Sequence, residues 1–348
     1  MLVLRHAAVQ AVRTSRIARA MHTASSIDPS DIAHFSRLAE HWWDEDGEFA
    51  PLHRMNRVRI DFMRQKLEEV REWDAAMADV CGTSYDYQPS TTFLDGMDML
   101  DVGCGGGILA EAATRLGARV TGVDASAENI RIASLHAAQD PALRLREADS
   151  EAPAGASLAY VHSSAEALQA QGRQFDIVTA MEVVEHVNQP ADFLRCLASL
   201  VKPGGHLFMS TMSRTALSYF ITIFMAEHML RVVTPGTHRH SQYINPDEMV
   251  SFFRTLGWIP TEADVLSQRP TLPDGRKAAP LPPRLQFETR GTMYIPGLGR
   301  WVLAPSSVAD SHATGRSEAW LPTLLGGGLR PTELCNYFFW VRRPLSSS

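Results

Sequence analysis

Two short stretches of the chain carry residue types that can do chemistry at their spacing. In the first, Met99-Leu100-Asp101-Val102 runs into Gly103-Cys104-Gly105-Gly106-Gly107, and the chain reaches Asp124 one helix and one strand later. Glycines remove Cβ atoms, so a ligand can lie against the backbone and the chain can adopt positive φ. An acid at the end of the second strand can accept hydrogen bonds from the hydroxyls of a ribose. In the second stretch, Glu182, Glu185 and His186 stand at i, i+3 and i+4 within Met181-Glu182-Val183-Val184-Glu185-His186-Val187. On a helical turn all three project from one face. Two carboxylates and an imidazole together can hold a divalent cation, or act as a base cluster.

Regular elements must hold these residues in place. Met99–Val102 has the continuous apolar character of a buried parallel strand. Ile108, Leu109, Ala112, Ala113 and Leu116 keep helical spacing, and Gly117 is placed to end that helix. Arg119–Val123 reads as a second strand closed by Asp124. Dinucleotides and S-adenosylmethionine are the two ligand classes bound by such a unit. The dinucleotide fingerprint G-x-G-x-x-G needs glycines at 103, 105 and 108, and position 108 is isoleucine. The G-C-G-G-G packing instead resembles motif I of the class I S-adenosylmethionine-dependent methyltransferases. That resemblance makes Gly103 and Gly105 the donor-binding turn and Asp124 the ribose acid. Farther on, Leu158–His162 is a third strand, followed by a loop whose Ser164 or Ala165 would lie beside the adenine. Gln174–Met181 reads as a fourth strand entering the acidic turn, Gln189–Val201 as a helix, and His206–Thr211 as a fifth strand. The Lys202-Pro203-Gly204-Gly205 turn before that strand is a second hallmark of the same class.

One run is not explained by composition. Trp42-Trp43-Asp44 through Gly47, Phe49, Pro51-Leu52-His53 and then Asn56 and Arg59 closely resembles the polyprenyl ubiquinone-biosynthesis O-methyltransferases. The resemblance implies an α/β, Rossmann-like class I methyltransferase domain over residues 28–343. Its seven-stranded, mostly parallel sheet would carry helices on both faces and an antiparallel last strand at Asn336–Arg343. It also implies that Arg59 contacts the carboxylate of S-adenosylmethionine, which a guanidinium fork suits, and that Met181 flanks the donor. It assigns Glu182, Glu185 and His186 to a magnesium ion; without metal, His186 is the candidate base, with Glu182 beside it. His238, in Gly236-Thr237-His238, matches a family position that could orient the substrate. The implied substrates are catechol-type polyprenyl intermediates, a dihydroxybenzoate and a demethylubiquinol. The implied partners are inner-membrane lipid on the matrix side and other ubiquinone-biosynthesis proteins. Two readings contrast with it: an O-methyltransferase for another small lipophilic phenol, against which the Trp42–Arg59 run argues, and a methyltransferase-fold scaffold subunit without activity, against which intact Gly103, Gly105 and Asp124 argue. Stretches near 71–93, 140–157 and 300–333 read as insertions.

The ends and the composition add limits. Met1–Ile27 has no acid, while Arg5, Arg13, Arg16 and Arg19 alternate with apolar and hydroxyl residues, the make-up of a mitochondrial transit segment. Formal net charge is −6, which does not suggest nucleic-acid binding. Cys81, Cys104, Cys196 and Cys335 are widely spaced and form no CxxC pair, so neither a zinc site nor a disulfide framework is indicated. Ala216–Val233 is mostly apolar but too short and too interrupted to span a bilayer. It reads as a core helix or as an interfacial lid over a lipophilic substrate channel.

Overall fold

The computed structural model describes residues 28–83, 85, 87–147, 154–223, 239–260, 275–277, 281–306 and 331–345. The basic N-terminal segment, the apolar stretch from residue 224 on and His238 lie outside them.

The described residues open with α1 (Pro29–Leu38). Asp28 caps it, accepting from the Ser30 amide at 2.8 Å, and Pro29 occupies the first turn. After a turn containing Trp42 and Trp43 comes α2 (Ala50–Val80), 31 residues and so about 46 Å long. Its buried stripe is Met55, Val58, Arg59, Phe62, Met63, Lys66, Leu67 and Val70, at helical spacing. Residues 71–80 therefore continue a helix where a polar loop was expected. Arg-Glu-Trp-Asp-Ala-Ala-Met-Ala is rich in good helix formers, and Gly82 at φ +72° follows the end.

The sheet is then laid down as β1 (Asp98–Val102), α3 (Ile108–Arg115), β2 (Arg119–Asp124), α4 (Ala127–Ala137), β3 (Ser157–His162), α5 (Ala165–Ala170), β4 (Phe175–Met181), α6 (Pro190–Leu200), β5 (Val201–Met212), α7 (Pro246–Thr255), β6 (Phe287–Ile295), β7 (Arg300–Leu303) and β8 (Asn336–Arg342). The strand order is β3-β2-β1-β4-β5-β8-β6-β7. β1 to β5 are parallel, whereas β8 runs antiparallel to β5, and β6 antiparallel to both β8 and β7. The sheet thus has eight strands and not the expected seven. The additional strand, Arg300–Leu303, lies in a stretch expected to be an insertion; it forms a hairpin with β6 across the tight Pro296–Leu298 turn. Lys202-Pro203-Gly204-Gly205 falls within the bounds of the long β5 but bulges out of its pairing with β4, which passes from Phe175–Val201 to Ile177–His206, and Gly204 takes φ +79°. Part of the stretch expected near 140–157 is also tied down: Leu143 is buried and Leu145 bridges Leu158 in parallel.

Strand order reverses between β1 and β4, because the chain lays β2 and β3 on one side and β5 on the other. Ligands of open α/β sheets bind at such a switch point, beyond the carboxyl ends of the strands. The glycine turn leaves β1 there, and the acidic turn leaves β4 there. The opposite edge is pinned by charge. Lys202 Nζ donates to Asp98 and Asp176, each at 3.0 Å, and Arg119 holds Asp98 at 2.7 Å.

The core lies on both faces of the sheet. Phe62 of α2 stacks on Phe338 at 5.3 Å and meets Phe208 edge-on, while Phe253 of α7 stacks on Phe339 from the other side. His206 of β5 is buried, and its Nδ1 accepts from Trp340 Nε1 at 3.3 Å. Burial, followed by Arg342 and Arg71, pushes its pKa down to about 3. The folded protein holds this imidazole neutral, while an unfolded chain protonates it below about 6.5. Between those values the unfolded state binds the extra proton, so stability falls as pH falls. Denaturant unfolding at pH 6.5 and pH 5 should show His206 contributing a loss of roughly 2 kcal/mol. His206→Gln, which keeps an acceptor for Trp340, should lose correspondingly less than the wild type over that interval. Parallel losses would show that the proton is taken up elsewhere.

Candidate active site

A cavity of about 420 Å³ opens at the switch point. Its floor comes from the turns after β1 and β4, its cover from α1 and the Trp42 turn, and one flank from the start of α2 and the β6–β7 hairpin. Of the predicted donor residues, Arg59, Gly103, Gly105, Asp124 and Met181 line the cavity, as do Glu182, Glu185 and His186, whereas Ser164 and Ala165 do not.

Asp124 ends β2 and is half-buried. Its Oδ2 accepts from the Gly105 amide at 2.9 Å; its Oδ1 accepts from the Ser126 amide at 2.8 Å and from Asn129 Nδ2 at 3.2 Å. Burial raises its pKa, and these three donors oppose the rise. A carboxylate offers about four acceptor positions. The protein already takes three, so Asp124 has room for one further hydroxyl, fewer than the pair foreseen for a ribose. Ser126 in turn caps α4, accepting from the Asn129 amide.

The glycine turn is shaped by the protein itself. Gly105 has φ +53°, and a Cβ there would stand 2.5 Å from the ring of Trp42; at Gly106 it would stand 2.4 Å from Trp42 Cβ. The missing side chains therefore admit Trp42 as well as a ligand. Trp42 stacks on Phe49 at 4.0 Å and donates from Nε1 to Asn129 Oδ1 at 2.9 Å. Trp43 Nε1 donates to the Gly106 carbonyl at 2.9 Å, and its ring stacks on His136 at 3.4 Å. This accounts physically for the double tryptophan.

Arg59 is carried in by the buried stripe of α2. Its Nε has no hydrogen-bond partner, and its guanidinium sits in the field of Glu182, Asp101 and Glu185. Burial lowers its pKa against the pull of those carboxylates. A buried guanidinium with an unsatisfied N–H is costly unless an anion or a water meets it. Asp101, which lines the same wall, was read only as part of a strand. It accepts from Thr179 Oγ1 at 2.7 Å, and burial raises its pKa to about 6. The signal was present: an acid inside an apolar parallel strand needs a reason to be buried.

The acidic turn is not α-helical throughout. Glu182 takes φ +58°, a left-handed conformation rare for a residue with a side chain, and only Val184–His186 form a 3₁₀ turn. Backbone strain of this kind is characteristic of functional sites. Glu185 is buried, and its Oε2 accepts from Thr211 Oγ1 at 2.9 Å. Burial and then the charge of Glu182 push its carboxyl well up. Oε1 of Glu182 and Oε1 of Glu185 are both buried without a hydrogen-bond partner, a pair that suits a cation. His186 does not join them as a third ligand. Its Nδ1 lies 3.2 Å from Asp31 Oδ2, and Phe35 packs edge-on against its ring. Among the described residues no three His, Cys, Asp or Glu side chains gather closely enough to hold a metal ion. The expected three-ligand magnesium set is therefore not assembled: the chain departs from one continuous helical turn at Glu182. Ser164 caps α5, accepting from the Ala167 amide, and is not among the lining residues.

Comparison with known proteins agrees with this geometry. A family model described as a methyltransferase domain matches residues 86–262. The ubiquinone biosynthesis O-methyltransferase of Roseobacter denitrificans is 41% identical over 238 residues, spanning 68% of this chain and 85% of that protein. The mitochondrial ubiquinone biosynthesis O-methyltransferase of Schizosaccharomyces pombe is 42% identical over 234 residues, 67% of this chain and 73% of its own length. That of Ralstonia nicotianae is 37% identical over 249 residues, 71% and 88%. The chain belongs to the ubiquinone biosynthesis O-methyltransferase family, enzymes that use S-adenosylmethionine as methyl donor.

Proposed function

We propose that this chain methylates a ring hydroxyl of polyprenyl catechols in ubiquinone biosynthesis, a polyprenyl dihydroxybenzoate and a demethylubiquinol among them. The observation that carries the reading is that one cavity holds both a donor set (Arg59, Asp124, Gly103, Gly105) and a proton-accepting set (His186, Glu182). The donor's carboxylate meets the unsatisfied guanidinium of Arg59, its ribose meets Asp124, and Met181 lies alongside. The sulfonium methyl then faces the side of the cavity that Glu182, Glu185 and His186 share with apolar Leu52, Tyr294, Trp301 and Ile221. Those apolar residues suit a substrate with a hydrocarbon tail. His186 takes the phenolic proton, the phenolate oxygen forms its bond to the methyl carbon, and the carbon–sulfur bond breaks to leave S-adenosylhomocysteine. Holding both reactants in line supplies most of the acceleration.

The orphaned oxygens of Glu182 and Glu185 favour a second reading of the same turn, in which these two residues hold a divalent cation, magnesium by the family resemblance. Such an ion, when bound, would lower the pKa of a catechol hydroxyl. For location, we read the basic N-terminal segment and the mitochondrial relative together as pointing to the matrix face of the inner membrane. Among the described residues no helix is long and apolar enough to cross a membrane, and Leu217, Tyr219, Phe220 and Ile221 stand exposed near the cavity mouth. Peripheral contact with lipid, and with other proteins of ubiquinone biosynthesis, fits these features.

Donor binding tests the first half of the site. Charged hydrogen bonds are worth about 1.5–3 kcal/mol, so Arg59→Met should weaken S-adenosylmethionine binding roughly ten- to hundredfold by calorimetry. Unchanged affinity would place the donor carboxylate elsewhere. Transfer of labelled methyl to a short-chain prenyl dihydroxybenzoate tests the second half. Wild type should turn over, and His186→Ala should lose about 10²–10⁴ in rate with the donor still bound. Chelation and restoration with magnesium, zinc or manganese separate the two readings of the turn. Indifference to chelator assigns Glu182 and Glu185 to proton handling alone, whereas loss and recovery assigns them a cation. Donor binding without turnover on any catechol would support a scaffold instead.

A further inference from the structure

One buried polar side chain of the cavity has no part in the proposed activity. Asn336, the first residue of β8, is 7% exposed and lines the cavity. Its Oδ1 accepts from Cys335 Sγ at 3.3 Å, and its Nδ2 has no acceptor among the described residues. A buried amide nitrogen without an acceptor is costly, so its N–H groups stand ready for a molecule that enters. The acidic turn is close by: burial and then the charge of Glu182 push the adjoining Cys335 thiol up to about 11. Strand pairing fixes the other neighbours. Asn336 stands opposite Met212, the last residue of β5, and opposite Thr292 of β6. Paired residues, and residues two apart along a strand, share a face of the sheet. Tyr294 therefore lies on that face, with its partner Trp301 of β7. Met212, Asn336, Tyr294 and Trp301 all line the cavity. Arg54 Nη1 donates to the Tyr294 hydroxyl at 2.8 Å, and Trp301 Nε1 donates to the Pro51 carbonyl at 2.9 Å. The polar atoms of both rings are thus engaged by α2, and the wall is apolar around one carboxamide.

The geometry points to Asn336 as a specificity residue that donates from Nδ2 to the ring oxygen next to the one that is methylated, with the acceptor ring lying along Tyr294 and Trp301. The inference rests on the catechol reading of the acceptor. A catechol presents two adjacent oxygens, and one of them must not react. Ionised carboxylates can only accept, so the acidic turn, alone or through a cation, serves the oxygen that loses its proton. The neighbouring hydroxyl keeps its proton and has a lone pair to satisfy. A neutral amide N–H meets that lone pair without drawing the proton away. Fixing the second oxygen at Asn336 sets which oxygen faces the sulfonium methyl. The role is the same whether Glu182 and Glu185 handle a proton or hold a cation. It also gives the antiparallel strands β6, β7 and β8 a task of their own: the parallel strands carry the glycine turn and the acidic turn, and the antiparallel ones carry the acceptor wall.

The test is a cycle between residue and ligand, read by calorimetry on the full chain saturated with S-adenosylhomocysteine. The ligands are a short-chain prenyl dihydroxybenzoate and its analogue with hydrogen in place of the hydroxyl next to the methylated one. The variants are Asn336→Ala and Asn336→Leu, the second keeping the volume of the side chain. Wild type should bind the dihydroxybenzoate about three- to tenfold more tightly than the analogue, the range for one neutral hydrogen bond. Both variants should lose that preference, while Tm, the Kd of S-adenosylhomocysteine and the Kd of the analogue stay close to wild type. In turnover with labelled donor, the variants should place part of the methyl on the neighbouring oxygen, where wild type forms a single ether. Equal weakening of both ligands overturns the role, because Asn336 would then only pack against the ring. A preference absent from the wild type, or kept in both variants, also overturns it and leaves the catechol reading standing. If the wild type binds neither ligand, the catechol reading fails, and this inference with it.

Discussion

Trp42 filling the space above Gly105 and Gly106 is the constraint on which the site depends. The contact is steric before it is anything else: no side chain larger than hydrogen fits at either position while the indole is there. It is also directional, because Nε1 reaches Asn129, and Asn129 in turn donates to Asp124. The glycine turn and Asp124 are thus both tied to an aromatic side chain from the connection between α1 and α2. From Trp42 the chain leads backward into α1 and forward, past Phe49, into α2. Each helix delivers a charged side chain to the cavity among its apolar ones, Asp31 from the first and Arg59 from the second.

The two helices differ in how firmly they are held, and the difference follows from what they bury. α2 lays a continuous apolar stripe on the sheet. It also carries Lys66, fully buried, paired with buried Glu288 and with Glu69, and lying 5.1 Å from the Trp340 ring centroid. Removing one member of a buried ion pair typically costs about 3–5 kcal/mol. Such a pair also opposes rotation or sliding of α2 against β6. Arg59 lies two helical turns before Lys66 on the same stripe, so a lock at Lys66 sets where the guanidinium points. α1 has no equivalent. Arg59 is thus carried on the firmly held helix, while the helix that meets His186 has no fully buried residue.

What was legible in the sequence divides along the same line. Local chemistry could be read directly: the glycine turn, Asp124 at a strand end and the run of parallel strands all stand where spacing placed them. The resemblance placed Arg59 in the cavity. Features decided by tertiary packing were not legible. Residues 71–80 look polar because α2 exposes much of that length, yet their helix propensity carries the helix on. Arg300–Leu303 is a strand because β6 offers it an edge, and its own four residues say little. Glu182, Glu185 and His186 share a helical spacing, but the left-handed turn at Glu182 breaks that face and leaves His186 to Asp31, which no local pattern connects to it.

The break at Glu182 has a chemical consequence. Had residues 182–186 formed one α-helical turn, two carboxylates and the imidazole would have projected together, and the imidazole would have served the same ion as the carboxylates. The positive φ instead separates the duties. Glu182 and Glu185 face Arg59 and each other, a cluster whose net negative charge and orphaned oxygens call for a cation or a proton. His186 is turned instead toward α1, with Nδ1 3.2 Å from Asp31 Oδ2 and Phe35 edge-on against its ring.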